Sequence, residues 1–377
     1  ASPAPPTGEF PPLIKERPEM ENTSQIKLPA CSSGQSLGQC IDATVSSFMT
    51  QTSAPPNSAC VIVSAQYRGA TIYAQGYGKI SNNGAAPTTA NSFQIDSLTK
   101  VFTAFAVIRL FEQGTIVSLT DQLGAYMTSL SNGSWNQAWS SIQINQLLAM
   151  VSGIPDSSSE KLTYMEQLEN LVETPLKFPA GTQYQYSNSN YFLLSALVDT
   201  LVGVSSSYID YTQQQVLKVF NLPNTGLFTH AEAPDPVTPN FGDGSWRNPL
   251  CGYGSGGFAS TMADLENFAI GLSQGIVLSP ADYQTMWTAY SLPGGTPGTF
   301  GLGWAVHQSS IGALERVEKN GGGSGWNSAV AYAPPNGGFG NAQAASVCVL
   351  MNYDVSATTN VDVLANNLLT KVVAANE

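Results

Sequence analysis

The chain has 377 residues, of which 42% are hydrophobic, so it is long enough to bury one large core or the cores of two lobes. Only 11% of the residues are charged, and 14 basic against 26 acidic side chains give a net charge of −12. This acidic balance excludes a polyanionic partner such as nucleic acid. The sequence contains no apolar run of the roughly 18 residues needed to span a bilayer, so we also expect no membrane partner.

The chain begins with a segment rich in proline, serine and polar residues, and residues 1–35 predict an extended N-terminal arm. Because the first residue is not Met and no apolar signal core follows, we expect a secreted protein whose leader has been removed. Asn22 and Asn132 each begin an N-glycosylation triplet. The five cysteines are too scattered for a zinc site, so we expect no metal. In a secreted chain, Cys31 and Cys40 could close a short loop as a disulfide.

The next segments predict secondary structure by their spacing. Residues 37–49 place apolar side chains at helical intervals, and the residues on either side of Arg68 and Gly69 resemble two strands joined by a turn. The stretch "FQIDSLTKVFTAFAVIRLFEQG" predicts a long buried helix that stops at Gly114, because glycine is typical of helix C-termini.

The rest of the chain divides into two kinds of sequence. Residues 115–245 mix helical runs with loops rich in Pro, Gly and Ser and predict a mainly helical lobe. Three strand-like runs and a last helix follow near the C-terminus. Strands near both ends with helices between them indicate one sheet flanked by helices, with residues 36–114 and 246–377 forming an α/β lobe.

One motif points to catalytic chemistry: Ser97 and Lys100 form S-x-x-K at the start of the apolar helix. Residues i and i+3 share a helix face, so the lysine nitrogen can reach the serine oxygen. A lysine that takes the serine proton must be neutral, although the ordinary lysine pKa is about 10.4. Burial and a second cation both lower that pKa. Lys319 is a candidate for this cation, and Tyr186 is a candidate for a second proton carrier.

Each candidate has a structural alternative. Lys100 alone fits a side chain that buries its stem and keeps its head in water, and Tyr186 fits an ordinary core tyrosine. Asp96 is predicted to cap the helix N-terminus. His230 and His307 are taken as structural or surface residues, because the chain has no G-x-S-x-G elbow for a Ser-His-Asp site.

Two further motifs complete a pattern. Tyr186-Ser187-Asn188 is the only Y-x-N, and Lys319-Asn320-Gly321 is the only K-x-G. The three motifs S-x-x-K, Y-x-N and K-x-G, in this order along the chain, resemble those of the serine beta-lactamase and penicillin-binding-protein superfamily. Y-x-N is typical of its branch of class C beta-lactamases, D-alanyl-D-alanine carboxypeptidases, D-aminopeptidases, family VIII esterases and fungal acyltransferases. Segments such as "IQINQLLAMVSGIPD" and "FPAGTQYQYSNSNYFLLSALVDTLVG" are similar to the family's, so the resemblance extends from Cys60 to the C-terminus.

The resemblance implies an α+β, beta-lactamase-like fold, in which an antiparallel sheet is flanked by helices and joined to the mainly helical lobe. It implies that Ser97 is the acyl-accepting nucleophile, with Lys100 and Tyr186 as the pair that handles its proton. Asn188 would orient Lys100 and the substrate. Lys319 would place positive charge near the tyrosine or a substrate carboxylate.

The same resemblance implies an oxyanion hole formed by the backbone N–H groups of Ser97 and Gly322, with Gly323 as the alternative donor. Asn320 stands where the family commonly has Thr or Ser, whose hydroxyl often helps to bind a substrate carboxylate. This departure weakens the case for beta-lactam and D-Ala-D-Ala substrates. Asn320 and Trp326, which follows the glycine run, are predicted to line the substrate pocket.

Together these features predict a secreted, metal-free and cofactor-free serine hydrolase that acts on a small-molecule acyl substrate, an ester or an amide. Ester hydrolysis through a covalent acyl-Ser97 intermediate is the preferred reaction. The alternatives are an acyltransferase to an alcohol, a D-amino-acid peptidase or amidase, and a beta-lactamase. A catalytically silent binding protein with the same fold is the alternative from another class.

Overall fold

The computed structural model describes residues 26–81, 84–128, 130, 136–240, 244–295, 298–308, 313–323, 325–334, 344–355 and 361–376. The first 25 residues of the predicted arm, with Asn22, lie outside these ranges, as does Asn132. The strands are β1 (Cys60–Tyr67), β2 (Ala70–Gly78), β3 (Ser92–Gln94), β4 (Ala259–Thr261), β5 (Ala305–Gln308), β6 (Leu314–Gly323), β7 (Trp326–Ala333) and β8 (Ala345–Met351). The helices are α1 (Leu37–Gln51), α2 (Thr99–Glu112), α3 (Ile144–Leu148), α4 (Tyr164–Leu171), α5 (Asn188–Val202), α6 (Tyr208–Thr212), α7 (Pro249–Gly256), α8 (Met262–Gln274), α9 (Pro280–Met286) and α10 (Val361–Ala374).

Six strands form one antiparallel sheet in the order β2-β1-β8-β7-β6-β5. The predicted hairpin is confirmed, because β1 ends at Tyr67 and β2 begins at Ala70. Arg68 and Gly69 between them both have positive φ, as the right-handed twist of a two-residue hairpin requires. A second sheet pairs β3 with β4. Its strands have only three residues each, too few to show a period in the sequence.

Helices cover both faces of the large sheet, as predicted. On one face, Ile41 and Phe48 of α1 pack with Leu364 and Leu368 of α10 against the sheet. On the other face, α2 and α8 belong to the larger hydrophobic cluster. Almost every residue of α2 is buried, which explains why its sequence is apolar on all sides. The helix ends at Glu112, and Gly114 beyond it has a φ of +74°, so the predicted stop is confirmed.

The helical character of the middle segment is visible in the described part of residues 115–245, where all named elements are helices. The strands of the large sheet lie before residue 79 and after residue 304. This distribution is the one that the two-lobe organisation requires, and the lobe boundaries themselves stay a prediction.

A disulfide joins Cys31 to Cys40, so the predicted loop is closed. Cys60, Cys251 and Cys348 are buried free thiols. Within the described ranges, each helix is too short or too polar to cross a bilayer.

Candidate active site

Ser97, the predicted nucleophile, lies in a single 3-10 turn, Asp96–Leu98, between β3 and α2. Asp96 adopts a left-handed backbone with a φ of +45°, and its carboxylate forms an ion pair with the guanidinium of Arg247. The prediction that Asp96 caps the helix is wrong, because no side-chain cap forms there and the carboxylate is held by Arg247 instead. The turn leaves Ser97 half-buried, one helical turn before Lys100.

Lys100 is completely buried, and its nitrogen contacts three neutral oxygen atoms. Lys100 Nζ lies 3.0 Å from Ser97 Oγ, 2.8 Å from Asn188 Oδ1 and 2.6 Å from the carbonyl oxygen of Ser255. The alternative in which Lys100 keeps its head in water is therefore wrong. A neutral amine has two N–H groups and one lone pair. It can donate to Asn188 and Ser255 while the lone pair accepts the proton of Ser97.

The surroundings of Lys100 favour this neutral form. Burial holds the pKa of Lys100 well below its usual value, and the positive charge of Lys319 lowers it further. The carboxylate of Asp156 acts in the opposite direction and raises the pKa of Lys100. Lys319 thus supplies the second cation that the sequence predicted.

Tyr186 lies on the other side of the nucleophile, with its hydroxyl oxygen 2.5 Å from Ser97 Oγ. The ring is bordered by two amines: Lys100 Nζ is 4.9 Å and Lys319 Nζ 5.6 Å from its centroid. The phenol therefore touches the reacting oxygen and lies within the field of both amines. In this position it can pass a proton between the serine and a leaving group.

Two functional groups were missed by sequence reasoning. Asp156 accepts a hydrogen bond at 2.5 Å from the backbone N–H of Asn188, at the first residue of α5. The "SGIPD" segment, which is similar to the family's, was the signal that pointed to it. The Ser255 carbonyl has no side-chain signal at all. It is turned toward Lys100 by the segment around Tyr253, whose φ of +38° interrupts α7.

The edge of the site is formed by β6. A Cβ atom on Gly321 would lie 2.1 Å from the carbonyl oxygen of Ile95, so only glycine lets this strand pass against the Ser97 turn. In the part of the chain that the structure describes, the pairing of β5 with β6 ends at Ala305 and Glu318. The β6 residues after Glu318 therefore have no partner in β5. This open edge is where the predicted oxyanion donor, Gly322, lies in the strand.

The two predicted pocket residues are not in the site. Asn320 projects from the opposite face of β6 to Lys319, and its side-chain amide donates to the carboxylate of Asp362 in α10. Trp326 is 0% exposed and packs edge-on against Phe93, with ring centroids 6.0 Å apart. Both predictions are wrong, because strand alternation turns position 320 away and the core encloses the indole.

The histidine at the end of the sheet is structural, as predicted. His307 Nε2 lies 2.9 Å from the Glu318 carboxylate, and His307 Nδ1 lies 3.2 Å from the guanidinium of Arg316. The hydroxyl of Ser97 is instead contacted by Lys100 and Tyr186.

A family model described as Beta-lactamase matches residues 41–369, so the chain belongs to the beta-lactamase family. It is therefore a member of the serine hydrolase superfamily of beta-lactamase and penicillin-binding-protein type. Protein flp of Staphylococcus aureus (strain NCTC 8325 / PS 47) is 29% identical over 150 residues, which cover 38% of this chain and 29% of that protein. The chain thus spans less than a third of the length of this curated relative.

Solved structures agree on the fold. An octameric penicillin-binding protein homologue from Pyrococcus abyssi has a TM-score of 0.73 at 20% identity, over 89% of this chain and 77% of that one. The beta-lactamase/D-alanine carboxypeptidase from Yersinia pestis, solved with citrate, has a TM-score of 0.71 at 18% identity, over 92% and 100%. These likenesses confirm the predicted beta-lactamase-like fold.

Proposed function

We propose that this protein is a secreted carboxylic ester hydrolase that works through a covalent acyl-Ser97 intermediate. One observation carries the proposal: an amine and a phenol from distant parts of the chain meet at one hydroxyl. Lys100 Nζ is 3.0 Å and the Tyr186 hydroxyl 2.5 Å from Ser97 Oγ. Serine is a weak nucleophile until a neighbouring base takes its proton, and the neutral amine of Lys100 can do so here.

In the acylation step, the neutral Lys100 takes the proton of Ser97 as the serine oxygen attacks the ester carbonyl carbon. The ammonium formed can donate to Ser97, Asn188 and Ser255, so all three of its protons have acceptors. The tetrahedral intermediate then collapses as its bond to the leaving oxygen breaks. The leaving alcohol receives a proton from Tyr186, and the phenol is restored by the proton held on Lys100.

In the second step, water attacks the acyl-serine carbonyl and gives its proton to the Lys100–Tyr186 pair. Ser97 leaves with a proton returned by the same pair, and the acid is released. In both steps, the backbone N–H groups of Ser97 and Gly322 are the proposed donors to the oxyanion. The close passage of Gly321 against the Ser97 turn supports this assignment.

An ester is preferred to a beta-lactam or a D-Ala-D-Ala peptide because of Asn320. Its side chain is bound to Asp362 on the far face of β6, so position 320 offers no hydroxyl to a substrate carboxylate. An ester substrate needs no such carboxylate. Secretion is supported by the Cys31–Cys40 disulfide, since disulfides persist in oxidising compartments.

The test is a series of p-nitrophenyl esters with different acyl groups. We expect a burst of nitrophenol, and a mass increase on the Ser97 peptide equal to the acyl group. Ser97→Ala should lower activity at least about a thousandfold, as for other activated nucleophiles. Added alcohols measure transfer against hydrolysis by the ratio of ester to acid products. The absence of both burst and adduct favours a silent binding protein, whereas full activity in Ser97→Ala places the nucleophile elsewhere.

A further inference from the structure

The residues on one face of β6 run along the site from one end to the other. Lys319 reaches Tyr186, Gly321 lies against the Ser97 turn, and a Cβ on Gly323 would lie 3.9 Å from Arg247 Nη1. Four residues of strand separate the first of these positions from the last by roughly 13 Å. The leaving group takes its proton at the Tyr186 end. The acyl group of a substrate bound across Ser97 therefore extends toward the Arg247 end.

A cavity of about 490 Å³ lies at the Arg247 end. It is lined by Thr229, His230 and residues 244–249. Its volume is within the range of roughly 300–1,000 Å³ that is usual for small-molecule sites. The rings of His230 and Trp246 meet edge-on, with centroids 5.6 Å apart. The indole N–H of Trp246 donates to the carbonyl of Val237 at 2.8 Å, which fixes the orientation of this ring.

The wall of this cavity is tied directly to the nucleophile turn. The side-chain amide of Gln94 accepts a hydrogen bond from the backbone N–H of Arg247 at 2.9 Å and donates to its carbonyl at 3.0 Å. The guanidinium of Arg247 pairs with the carboxylate of Asp96, the residue before Ser97. The cavity and the nucleophile are thus held in one fixed relation.

The charges around the cavity disfavour an anionic ligand. Asp96 pairs with Arg247, and Glu160 lies 4.0 Å from the same guanidinium. One cation between two carboxylates offers no attraction to an anionic acyl group. The two rings, in contrast, offer faces and edges to a third ring.

We propose that this cavity is the acyl-group site and that it takes an uncharged aromatic acyl group. This inference rests on the proposed function, because it requires that Ser97 be acylated by an ester.

The experiment compares acetyl, hexanoyl and benzoyl p-nitrophenyl esters in the wild type, His230→Trp and His230→Ala. His230 is exposed at the rim, so either change leaves the core intact. In the wild type, kcat/KM should be higher for benzoyl than for hexanoyl esters. His230→Trp narrows the cavity and should lower the benzoyl-to-acetyl ratio about tenfold or more. His230→Ala removes a ring and should lower the benzoyl-to-hexanoyl ratio.

The matched control lies at the other end of β6. The ring of Tyr184 is 5.6 Å from that of Phe300, and Lys319 Nζ lies 5.8 Å from the Phe300 ring. Tyr184→Leu should change the preference among acetyl esters with different leaving groups, and should keep the wild-type benzoyl-to-acetyl ratio.

The possible failures are distinguishable. A wild type without burst or acyl-Ser97 adduct overturns the proposed function and the acyl site with it. A normal burst with a preference for hexanoyl over benzoyl esters overturns the aromatic assignment. A normal burst with the same acyl ratios in both His230 variants and the wild type overturns the location of the site.

Discussion

Two basic side chains border Ser97, and their surroundings differ in one respect. Arg247 faces the carboxylate of Asp96, directly before Ser97. Lys100, three residues after Ser97, faces a hydroxyl, an amide oxygen and a backbone carbonyl. A carboxylate partner favours the charged form of Arg247. The three oxygens that contact Lys100 carry no charge to offset the desolvation that lowers its pKa. These acceptors support the proposed roles of Arg247 as an anchor and of Lys100 as a proton carrier.

The largest loss of activity is expected when position 100 can no longer take up and release a proton. Lys100→Arg keeps a cation that cannot lose its proton, and Lys100→Met removes the amine altogether. Both should lower kcat/KM for p-nitrophenyl esters by about 10²–10⁴-fold, the usual contribution of general acid–base catalysis. Thermal melting checks that each variant is folded. A Lys100→Arg enzyme with the wild-type rate would show that Lys100 contributes charge alone.

Replacing Arg247, the anchor, should lower the stability of the folded protein. The Asp96 side chain is 5% exposed and that of Arg247 is 19% exposed, so Arg247→Met leaves a buried carboxylate without its partner. Breaking such a pair should lower the free energy of unfolding in urea by about 3–5 kcal/mol.

The matched double variant, Asp96→Asn with Arg247→Met, removes both charges and should recover much of this loss. Equal stability of the single and the double variant would contradict the view that the ion pair anchors the turn.

The smallest effect should appear in the pH profile of kcat/KM. Activity requires neutral Lys100, so the rate rises as the pH passes the pKa of Lys100. Lys319 lowers this pKa and Asp156 raises it. Lys319→Met should therefore move the acidic limb to higher pH, and Asp156→Asn should move it to lower pH.

Lys319→Arg keeps the charge and should keep the limb near its wild-type position, which separates the electrostatic effect from loss of the side chain. Shifts in the same direction for Lys319→Met and Asp156→Asn would contradict the assignment of the limb to Lys100.

Much of the site was predictable because its signals are local. Ser97 and Lys100 share a helix face by their spacing alone, and the apolar residues after them predict that this helix is buried. Tyr186 and Lys319 were found by their motifs. The long strands and helices have enough residues to show a period, and most of them appear where the sequence predicted them.

What the sequence by itself determined was the set of motifs that predicts Ser97, Lys100 and Tyr186 as the reacting side chains, through their resemblance to the motifs of the family. Only the tertiary structure decided their surroundings. The face on which Asn320 projects depends on strand register, and the burial of Trp326 depends on packing against Phe93. The hydrogen bond that Lys100 donates to the Ser255 carbonyl depends on a chain segment 155 residues away. Such contacts leave no periodic signal, because they are fixed by the mutual packing of elements that are far apart in the chain.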